Sequence, residues 1–399
     1  MKAIVWTKYG PPDVLQLREV EKPTPQDNEV LIRTVAASER KIKMQKKKRI
    51  VQALRVIMPI VGLVCVVVFS PWDGLWAWIT PVPDSVQEQV DDAIDHGLDG
   101  MIVYVDEAGE PPIFYTAGWK NRENQIPADP QSLFKIASIN KLYVAVAAAK
   151  LVDDQRLSLD DTVADHFPEL VGRIENAETI TLKLMLQHRS GIPDWADHPD
   201  YPWGDPPQSD EEVLAFALDL PADFAPDESY GYSNTNYLLI AELIDKVVGY
   251  SHFQYIKEEI LILLELNNTY GSLREVDEDD VMSGYFVGWE PDIKGNFFGS
   301  MIATAEDVGI FLRALNDGSL LNDDEQAIYS SVYEYEHTGL LPGYYSIARY
   351  HKDIDTVVVQ FANTTGGTPI APLFDTGGGT KIMVSNVVYN RIVKILHRK

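Results

Sequence analysis

The chain has 399 residues, of which 45% are hydrophobic and 24% charged. This globular composition excludes a disordered or collagen-like chain and leaves room for two or three domains of about 100–200 residues. Residues 1–70 hold 13 Lys/Arg and 6 Asp/Glu, so the other 21 basic and 54 acidic residues fall in 71–399, where the formal charge is −33. A body this acidic repels phosphate backbones, so we expect no nucleic-acid partner, and its charge favours solubility.

The first residues differ in character from the rest. The stretch from MKAIVWTKYGPPDVL to NEVLIRTVAAS, within residues 1–38, resembles the opening strands of medium-chain alcohol dehydrogenases and quinone oxidoreductases. It ends before that family's zinc ligands, and no G-x-G-x-x-G fingerprint occurs in the sequence, which leaves an oxidoreductase function without a nucleotide site. Met44 begins MQKKKRIVQALRV, a suitable start for an anchored protein. We therefore interpret residues 1–43 as an appended, non-functional fragment, and a mature N terminus at Met1 in mass spectrometry would contradict this.

A basic segment and an apolar segment follow. Residues 41–49 carry six Lys/Arg, and residues 50–69 are apolar except for Gln52, Arg55 and Pro59. Beyond Arg55 the apolar run is 14 residues, the length of a signal-peptide core. Counted from Ile50, the segment reaches the roughly 20 residues that span a bilayer, provided that Arg55 extends back to the headgroups.

The flanks of the apolar segment favour an uncleaved signal anchor, over residues 44–80. No small-x-small cleavage site follows the segment, and an outer interfacial belt would contain Trp72, Trp76 and Trp78. The positive-inside rule keeps the basic cluster in the cytoplasm, so we expect residues 81–399 on the periplasmic or extracellular side of a single-pass membrane protein. A cleaved signal and a buried core helix are the alternatives.

Beyond residue 80 the chain alternates strand-like and helical segments. The patterns predict two strands around a Glu-Pro-Pro turn in 101–121, helices over 139–151, 237–249 and 303–315, a long loop over 192–229, a buried strand over 355–363 and a basic C-terminal helix. Gly249 is the expected C-cap of the second helix, and Thr304 the N-cap of the third. Strands near both ends predict an α/β lobe built from the two termini, with a helical part at roughly 151–290.

Two Ser-x-x-Lys sequences lie near the first of these helices, one before it and one at its start. In Ser138-Ile139-Asn140-Lys141 the serine stands at the start of the helix, so Lys141 lies on the same face one turn later. Ser132-Leu133-Phe134-Lys135 lies in a predicted loop, and we expect no catalytic role for it. Taken alone, the spacing favours an ordinary helix N-cap for Ser138.

Two later motifs change that interpretation. Tyr232-Ser233-Asn234 is the only Y-x-N of the chain, and His337-Thr338-Gly339 is its only H-T-G or K-T-G. Serine acylation needs a hydroxyl, a neighbouring base, a polar or cationic relay and an oxyanion hole. A serine, a lysine and a tyrosine can provide these without a Ser-His-Asp triad, so the three motifs together predict a nucleophilic serine.

These motifs resemble those of serine β-lactamase-related hydrolases of the class C type, a family that includes D-alanyl-D-alanine carboxypeptidases and esterases. The stretches that carry the resemblance are SLFKIASINKLYVA, LKLMLQHRSGIPDW, YGYSNTNYLLIAELIDKVVG, FGSMIATAEDVGIFLRAL and HTGLLPGYYS. The resemblance implies an antiparallel sheet flanked by helices, an all-helical subdomain and a site in the cleft between them. It also implies chemistry without a metal or an organic cofactor. The sequence agrees with this, since Cys65 is its only cysteine and the scattered histidines lack ligand spacing.

The resemblance assigns roles residue by residue. Ser138 would be the acylated nucleophile, Lys141 would help to remove its proton, and Tyr232 would be the general base. Asn234 would orient both the substrate and Lys141. His188, in HRSGIPDW, matches a family motif whose role is mainly structural.

The strand that follows would bind the substrate through His337, Thr338, Gly339 and Leu340. The backbone N–H groups of Ser138 and Leu340 would form the oxyanion hole. His337 replaces the lysine of most class C β-lactamases and resembles the carboxypeptidase and esterase members of the family. A weakly charged histidine binds a carboxylate less strongly than a lysine, and Leu340 offers it no hydroxyl, which favours an ester or another uncharged acyl substrate.

We therefore expect a membrane-anchored, exported serine hydrolase that cleaves an ester or amide of a small-molecule or peptide substrate through an acyl-enzyme on Ser138, in the manner of a carboxypeptidase or an esterase. The alternative is a catalytically weak penicillin-binding or peptidoglycan-sensing module. The sequence makes no prediction of the oligomeric state.

Overall fold

The computed structural model of the chain describes residues 2–6, 15–22, 24–27, 51–52, 54–55, 57–64, 72–290, 292–366 and 379–398. The chain divides into two compact units, Met1–Ser70 and Pro71–Lys399. In the first unit, β1 (Lys2–Trp6) pairs antiparallel with β2 (Leu15–Glu19). Much of the predicted dehydrogenase-like fragment lies outside the described residues, and its interpretation remains a prediction.

The predicted signal anchor is not supported by the described part of the chain. Within that part, no helix is both long enough and apolar enough to cross a membrane. The described residues of the apolar segment, 51–52, 54–55 and 57–64, are helical. Residues 50, 53, 56 and 65–69 of the segment lie outside the described residues.

The second unit is built on one antiparallel sheet with the strand order β10-β11-β12-β3-β4-β5. Its strands are β3 (Gly100–Glu107), β4 (Ile113–Asn121), β5 (Ile126–Pro127), β10 (His337–Leu341), β11 (Tyr344–His351) and β12 (Thr356–Ala362). Since β12 pairs with β3 from Thr356↔Glu107 to Ala362↔Met101, the C-terminal hairpins join the N-terminal strands in one sheet. The lobe predicted from the two termini is confirmed.

The sheet is covered on both faces, which explains the continuous apolar sequences of its central strands. Met101, Val103 and Val105 face one hydrophobic cluster, and the alternate residues Ile102 and Tyr104 face the other. The first cluster includes residues of the helices before β3 and at the C terminus, and the second joins the sheet to the helical part of the unit. Two short sheets complete the fold, β6 (Phe134–Lys135) with β9 (Ile302–Ala303) and β7 (Thr269–Tyr270), and β8 (Tyr285–Phe286) with β13 (Thr364–Thr365).

The four predicted helices of the second unit correspond to Asn140–Asp153, Asn234–Val248, Ala305–Asp317 and Gly379–Leu396, and the described residues contain further helices that the sequence analysis did not predict. The α-helices of the unit are α1 (Trp72–Ile79), α2 (Val86–Asp95), α3 (Asn140–Asp153), α4 (Val163–His166), α5 (Leu182–Leu186), α6 (Asp210–Leu214), α7 (Asn234–Val248), α8 (His252–Ile256), α9 (Ala305–Asp317), α10 (Asp323–Val332) and α11 (Gly379–Leu396). Gly249 caps α7 at φ 86°, and the Thr304 side chain accepts from the N–H of Asp307 at the start of α9. Both predicted caps are confirmed.

The segment predicted as a long loop, 192–229, contains the short helix α6 and a 3-10 turn at Trp195–Asp197. The rest of it has no regular helix or strand, as predicted. It leads directly into Tyr232 and the start of α7. The segment therefore connects the helical part of the unit to the residues that the motifs predict to be functional.

Candidate active site

Ser138 lies in a 3-10 turn, Ala137–Ile139, that leads into α3. Ala137 has a φ of 51°, a left-handed conformation that is uncommon for a residue with a Cβ, and its N–H donates to Ser300 Oγ at 2.8 Å. The N-cap position of α3 belongs to Ile139, which makes no side-chain cap. The interpretation of Ser138 as an ordinary N-cap is wrong, because the tight turn puts its hydroxyl outside the capping position.

The Ser138 hydroxyl is contacted by both predicted partners. Lys141 Nζ donates to Ser138 Oγ at 3.0 Å, across one turn at the start of α3. Tyr232 Oη donates to the same oxygen at 2.8 Å from the loop that precedes α7. Both distances lie within the range of proton transfer to or from a serine. The structure thus brings together residues that are about ninety positions apart in the chain.

Lys141 is buried and held by an amide. Its Nζ also donates to Asn234 Oδ1 at 2.8 Å, and Asn234 Nδ2 donates to Asp194 Oδ2 at 2.8 Å. The amide oxygen thus faces an ammonium and its nitrogen faces a carboxyl group, so the orientation of Asn234 is fixed from both sides. This is the predicted contact of Asn234 with Lys141, and Asn234 also lines the cleft in which a substrate would lie.

Asp194 is the residue of this network that the sequence analysis did not single out. Its carboxyl group also accepts from the N–H of Ala196 at 3.0 Å. Burial raises the pKa of Asp194, and its hydrogen bonds with Ala196 and Asn234 oppose that effect. Asp194 stands in the HRSGIPDW stretch that carries part of the family resemblance, but no spacing in the sequence points from it to Asn234.

Strand β10 forms the edge of the sheet beside the nucleophile. A Cβ at Gly339 would lie 2.2 Å from the carbonyl oxygen of Ile136 and 2.3 Å from Ser346 Oγ. Only glycine therefore allows the strand to pack this closely against the segment that leads into Ser138. Leu340, the next residue of the strand, lines the same cleft as Ser138, and its N–H remains the predicted second donor of the oxyanion hole.

His337 opens this strand and lies half-buried beside Tyr232 and Tyr333, with ring centroids 6.3 and 6.0 Å away. Its Nδ1 contacts the carbonyl oxygen of Thr338, which can only accept, so Nδ1 carries the proton of the neutral ring. Burial lowers the pKa of His337 to about 4, and the charge of Lys141 acts in the same direction. His337 is therefore uncharged at neutral pH and cannot pair with a carboxylate as a lysine would.

The site opens into a cleft of about 730 Å³. Its walls include the aromatic side chains Trp195, Tyr201, Trp203, Phe286, Trp289, Phe297 and Phe298. Among the described residues that line the cleft, Lys141 is the only Lys or Arg, and it is already engaged with Ser138 and Asn234. The cleft suits an apolar or aromatic group and offers no further cation to an anionic one.

The second Ser-x-x-Lys sequence does not form a serine–lysine pair. Lys135 is buried in β6 and its Nζ donates to the carbonyl oxygen of Asn296 at 2.7 Å, while burial lowers its pKa to about 7. Ser132 is buried, and its Oγ has no hydrogen-bond partner among the described residues. Ser132 itself lies outside any helix or strand, as predicted.

Comparison with known proteins identifies relatives of the second unit. The model of the family described as Beta-lactamase matches residues 83–334. Protein flp of Staphylococcus aureus strain MW2 is 29% identical over 189 residues, which are 46% of this chain and 38% of that protein. Penicillin-binding protein 4* of Bacillus subtilis strain 168 is 26% identical over 201 residues, 50% of this chain and 43% of that protein. The chain thus spans less than half the length of these relatives.

Solved structures share the fold. The D-amino acid amidase of Ochrobactrum anthropi SV3, in complex with L-phenylalanine amide, superposes with a TM-score of 0.67 at 22% identity, over 78% of this chain and 97% of that one. A penicillin-binding protein of Bacillus halodurans superposes with a TM-score of 0.62 at 20% identity, over 77% and 99%.

Proposed function

The chain belongs to the β-lactamase family of serine hydrolases, as its motifs predicted, and we propose that it cleaves an uncharged ester or amide through an acyl-enzyme on Ser138. One observation carries the proposal: the Ser138 hydroxyl is contacted at 3.0 Å by Lys141 Nζ and at 2.8 Å by Tyr232 Oη. The nucleophilic oxygen of Ser138 is thus in contact with both a proton acceptor, Tyr232, and a cation, Lys141.

Acylation begins when Ser138 Oγ attacks the carbonyl carbon of the substrate. The Tyr232 phenolate is the proton acceptor, so the 2.8 Å hydrogen bond reverses its direction from that in the resting site and Ser138 Oγ donates its proton to Tyr232 Oη. The backbone N–H groups of Ser138 and Leu340 hold the oxyanion, and the Lys141 ammonium offsets the charge that moves between the two hydroxyls. When the ester or amide bond breaks, Tyr232 returns the proton to the departing alkoxide or amine.

Deacylation uses the same groups in reverse. Tyr232 accepts a proton from a water molecule as the water oxygen attacks the acyl carbon. The bond to Ser138 Oγ then breaks, and the serine recovers a proton from Tyr232. No residue outside the cleft is needed in either half of the cycle.

The charges of the cleft support an uncharged substrate. His337 is neutral at pH 7 because burial lowers its pKa to about 4. The carboxyl groups of Asp194 and Asp197 line the cleft and would repel an anion. The aromatic walls supply a large apolar surface, so an apolar or aromatic acyl group fits better than a terminal carboxylate.

A second candidate is a penicillin-binding or peptidoglycan-sensing module that acylates slowly. It is favoured by the likeness to penicillin-binding proteins of two Bacillus species. The uncharged His337 opposes it, since penicillins and D-alanyl peptides carry a carboxylate.

We also propose, from the basic cluster at 41–49 and the apolar residues that follow, that the protein is anchored in a membrane with its catalytic unit outside. Loss of the protein from intact cells on external proteolysis tests this, and complete recovery in the soluble fraction would contradict it.

A labelling experiment tests the catalytic proposal. The purified full chain is incubated with an activated fluorophosphonate and, separately, with a fluorescent penicillin, and adducts are mapped by mass spectrometry. We expect a fluorophosphonate adduct on Ser138, its loss in Ser138→Ala and its retention in the matched variant Ser132→Ala. A stable penicillin adduct would favour the second candidate, and equal labelling of the two variants would overturn the assignment of Ser138.

A further inference from the structure

We propose that His188 is a positioning residue that holds the Tyr232 phenol against Ser138 and thereby sets the rate of acylation. The inference rests on the proposed function, and it goes beyond the mainly structural role that the family motif suggests. It depends on three separate contacts of one buried histidine with the segment that carries Tyr232.

The first two contacts are hydrogen bonds to the neighbours of Tyr232 on either side. The carbonyl oxygen of His188 accepts from the N–H of Gly231 at 2.9 Å, and its Nδ1 accepts from the N–H of Ser233 at 3.2 Å. His188 can direct its backbone and its ring to one segment because its φ of 54° is left-handed. The backbone before and after Tyr232 is thus fastened to a single residue.

The third contact is between the rings. The His188 imidazole stacks on the Tyr232 ring, with centroids 4.4 Å apart and planes inclined by 29°. Tyr232 needs such support, because 38% of it is exposed and it lies ahead of the first residue of α7. His188 itself is only 3% exposed. A buried ring therefore supports one face of a partly exposed phenol.

The His188 ring is uncharged, which suits a positioning role and excludes a role as the proton acceptor of Ser138. Burial lowers its pKa to about 3, and the charge of Lys141 adds to the effect. A neutral ring keeps the lone pair of Nδ1 free to accept from Ser233, with the proton on Nε2. A group with so low a pKa is a poor proton acceptor for a serine, so His188 acts through Tyr232 rather than on the substrate.

Two substitutions separate its contacts. His188→Phe keeps a ring for stacking and removes the Nδ1 acceptor, whereas His188→Asn keeps an acceptor on a short side chain and removes the ring. Labelling of Ser138 by the fluorophosphonate is followed in the full chain over a range of probe concentrations. We expect the limiting rate to fall by about 10- to 100-fold, as for a reacting group displaced by about 1 Å, with less than a threefold change in the concentration that gives half the limiting rate.

The same substitutions in a Tyr232→Phe background distinguish positioning from a general structural effect. Because His188 acts through the phenol, each should then change the remaining rate by less than threefold, which is strong non-additivity. Equal losses in both backgrounds, or a change in half-saturation alone, would overturn the inference. If His188→Phe does not fold, judged by thermal unfolding, His188→Asn alone decides in the same two backgrounds.

The inference and the proposed function fail in different ways. If the wild-type chain is not labelled on Ser138, the proposed function fails. If the wild-type chain is labelled and the His188 variants react at the same rate, only the positioning role fails. The exposed ion pair of Arg173 with Asp219, at 2.8 Å on the surface of the helical part, supplies the control: Asp219→Asn should leave the labelling rate unchanged.

Discussion

Gly339→Ala tests whether the edge strand must approach the nucleophile as closely as it does. The added Cβ would lie 2.2 Å from the carbonyl oxygen of Ile136, whereas ordinary van der Waals contact begins at 3.4 Å. The obstructing atom belongs to the backbone and cannot rotate away, so strand β10 must move outward by about 1 Å. The backbone N–H of Leu340 moves with it, away from the oxyanion.

A misplacement of about 1 Å in a reacting constellation costs about 10²-fold, which corresponds to about 2.7 kcal/mol of transition-state stabilisation. Loss of one oxyanion donor costs a similar amount, about 10²–10³-fold. We therefore expect acylation of Ser138 to slow by about two orders of magnitude. The measurement is the pre-steady-state burst with a p-nitrophenyl ester, alongside the midpoint of urea unfolding, since overpacking also costs about 1–3 kcal/mol of stability.

Gly204→Ala is the matched control, because a Cβ at Gly204 meets no atom within 4 Å. It should acylate at the wild-type rate. If Gly339→Ala also acylates at that rate while folded, the close approach of β10 to the Ser138 turn has no part in catalysis, and the assignment of the oxyanion hole to Leu340 is wrong.

Three further predictions concern Tyr232 and His337. Tyr232→Phe should slow acylation by about 10²–10⁴-fold, the usual cost of a lost general base; an unchanged burst rate would exclude Tyr232 as that base. His337→Lys should speed labelling by fluorescent penicillin and leave hydrolysis of the neutral ester unimproved, since it adds a cation where the wild type has none; slower or equal penicillin labelling would contradict this. The folded pKa of His337 is about 4 and its ordinary value is 6.5, so the unfolded chain takes up the proton first and stability is lost as pH falls from 6.5 towards 4. In urea unfolding, His337→Gln should reduce the loss of stability between pH 7 and pH 4.5 by about 2 kcal/mol; an identical loss in both proteins would show that His337 does not titrate in this way.

The sequence predicted the elements of the second unit well where local rules decide them. The capping of α9 by Thr304 and of α7 by Gly249 follows from interactions within one helical turn. The apolar strand at 355–363 was found because a strand covered on both faces needs an uninterrupted apolar sequence. The signal anchor was harder to predict, because an apolar run indicates that a segment is buried but does not distinguish a bilayer from a protein core. The described residues contain no helix that could cross a membrane.

The motifs also determined which residues share the site. Ser138 and Lys141 are related by three positions at the start of one helix, a relation that the sequence alone defines. The sequence could not supply the left-handed turn at Ala137, the link from Asn234 to Asp194, or the contacts of His188 with both neighbours of Tyr232. Nor could the sequence predict that His337 is neutral. Its pKa is lower than that of an exposed histidine because the surrounding residues exclude water. Residue types and local spacing specify which functional groups are available. The distances between side chains that are about ninety positions apart in the chain, and the protonation state of each side chain, depend on how the sheet and the helices pack.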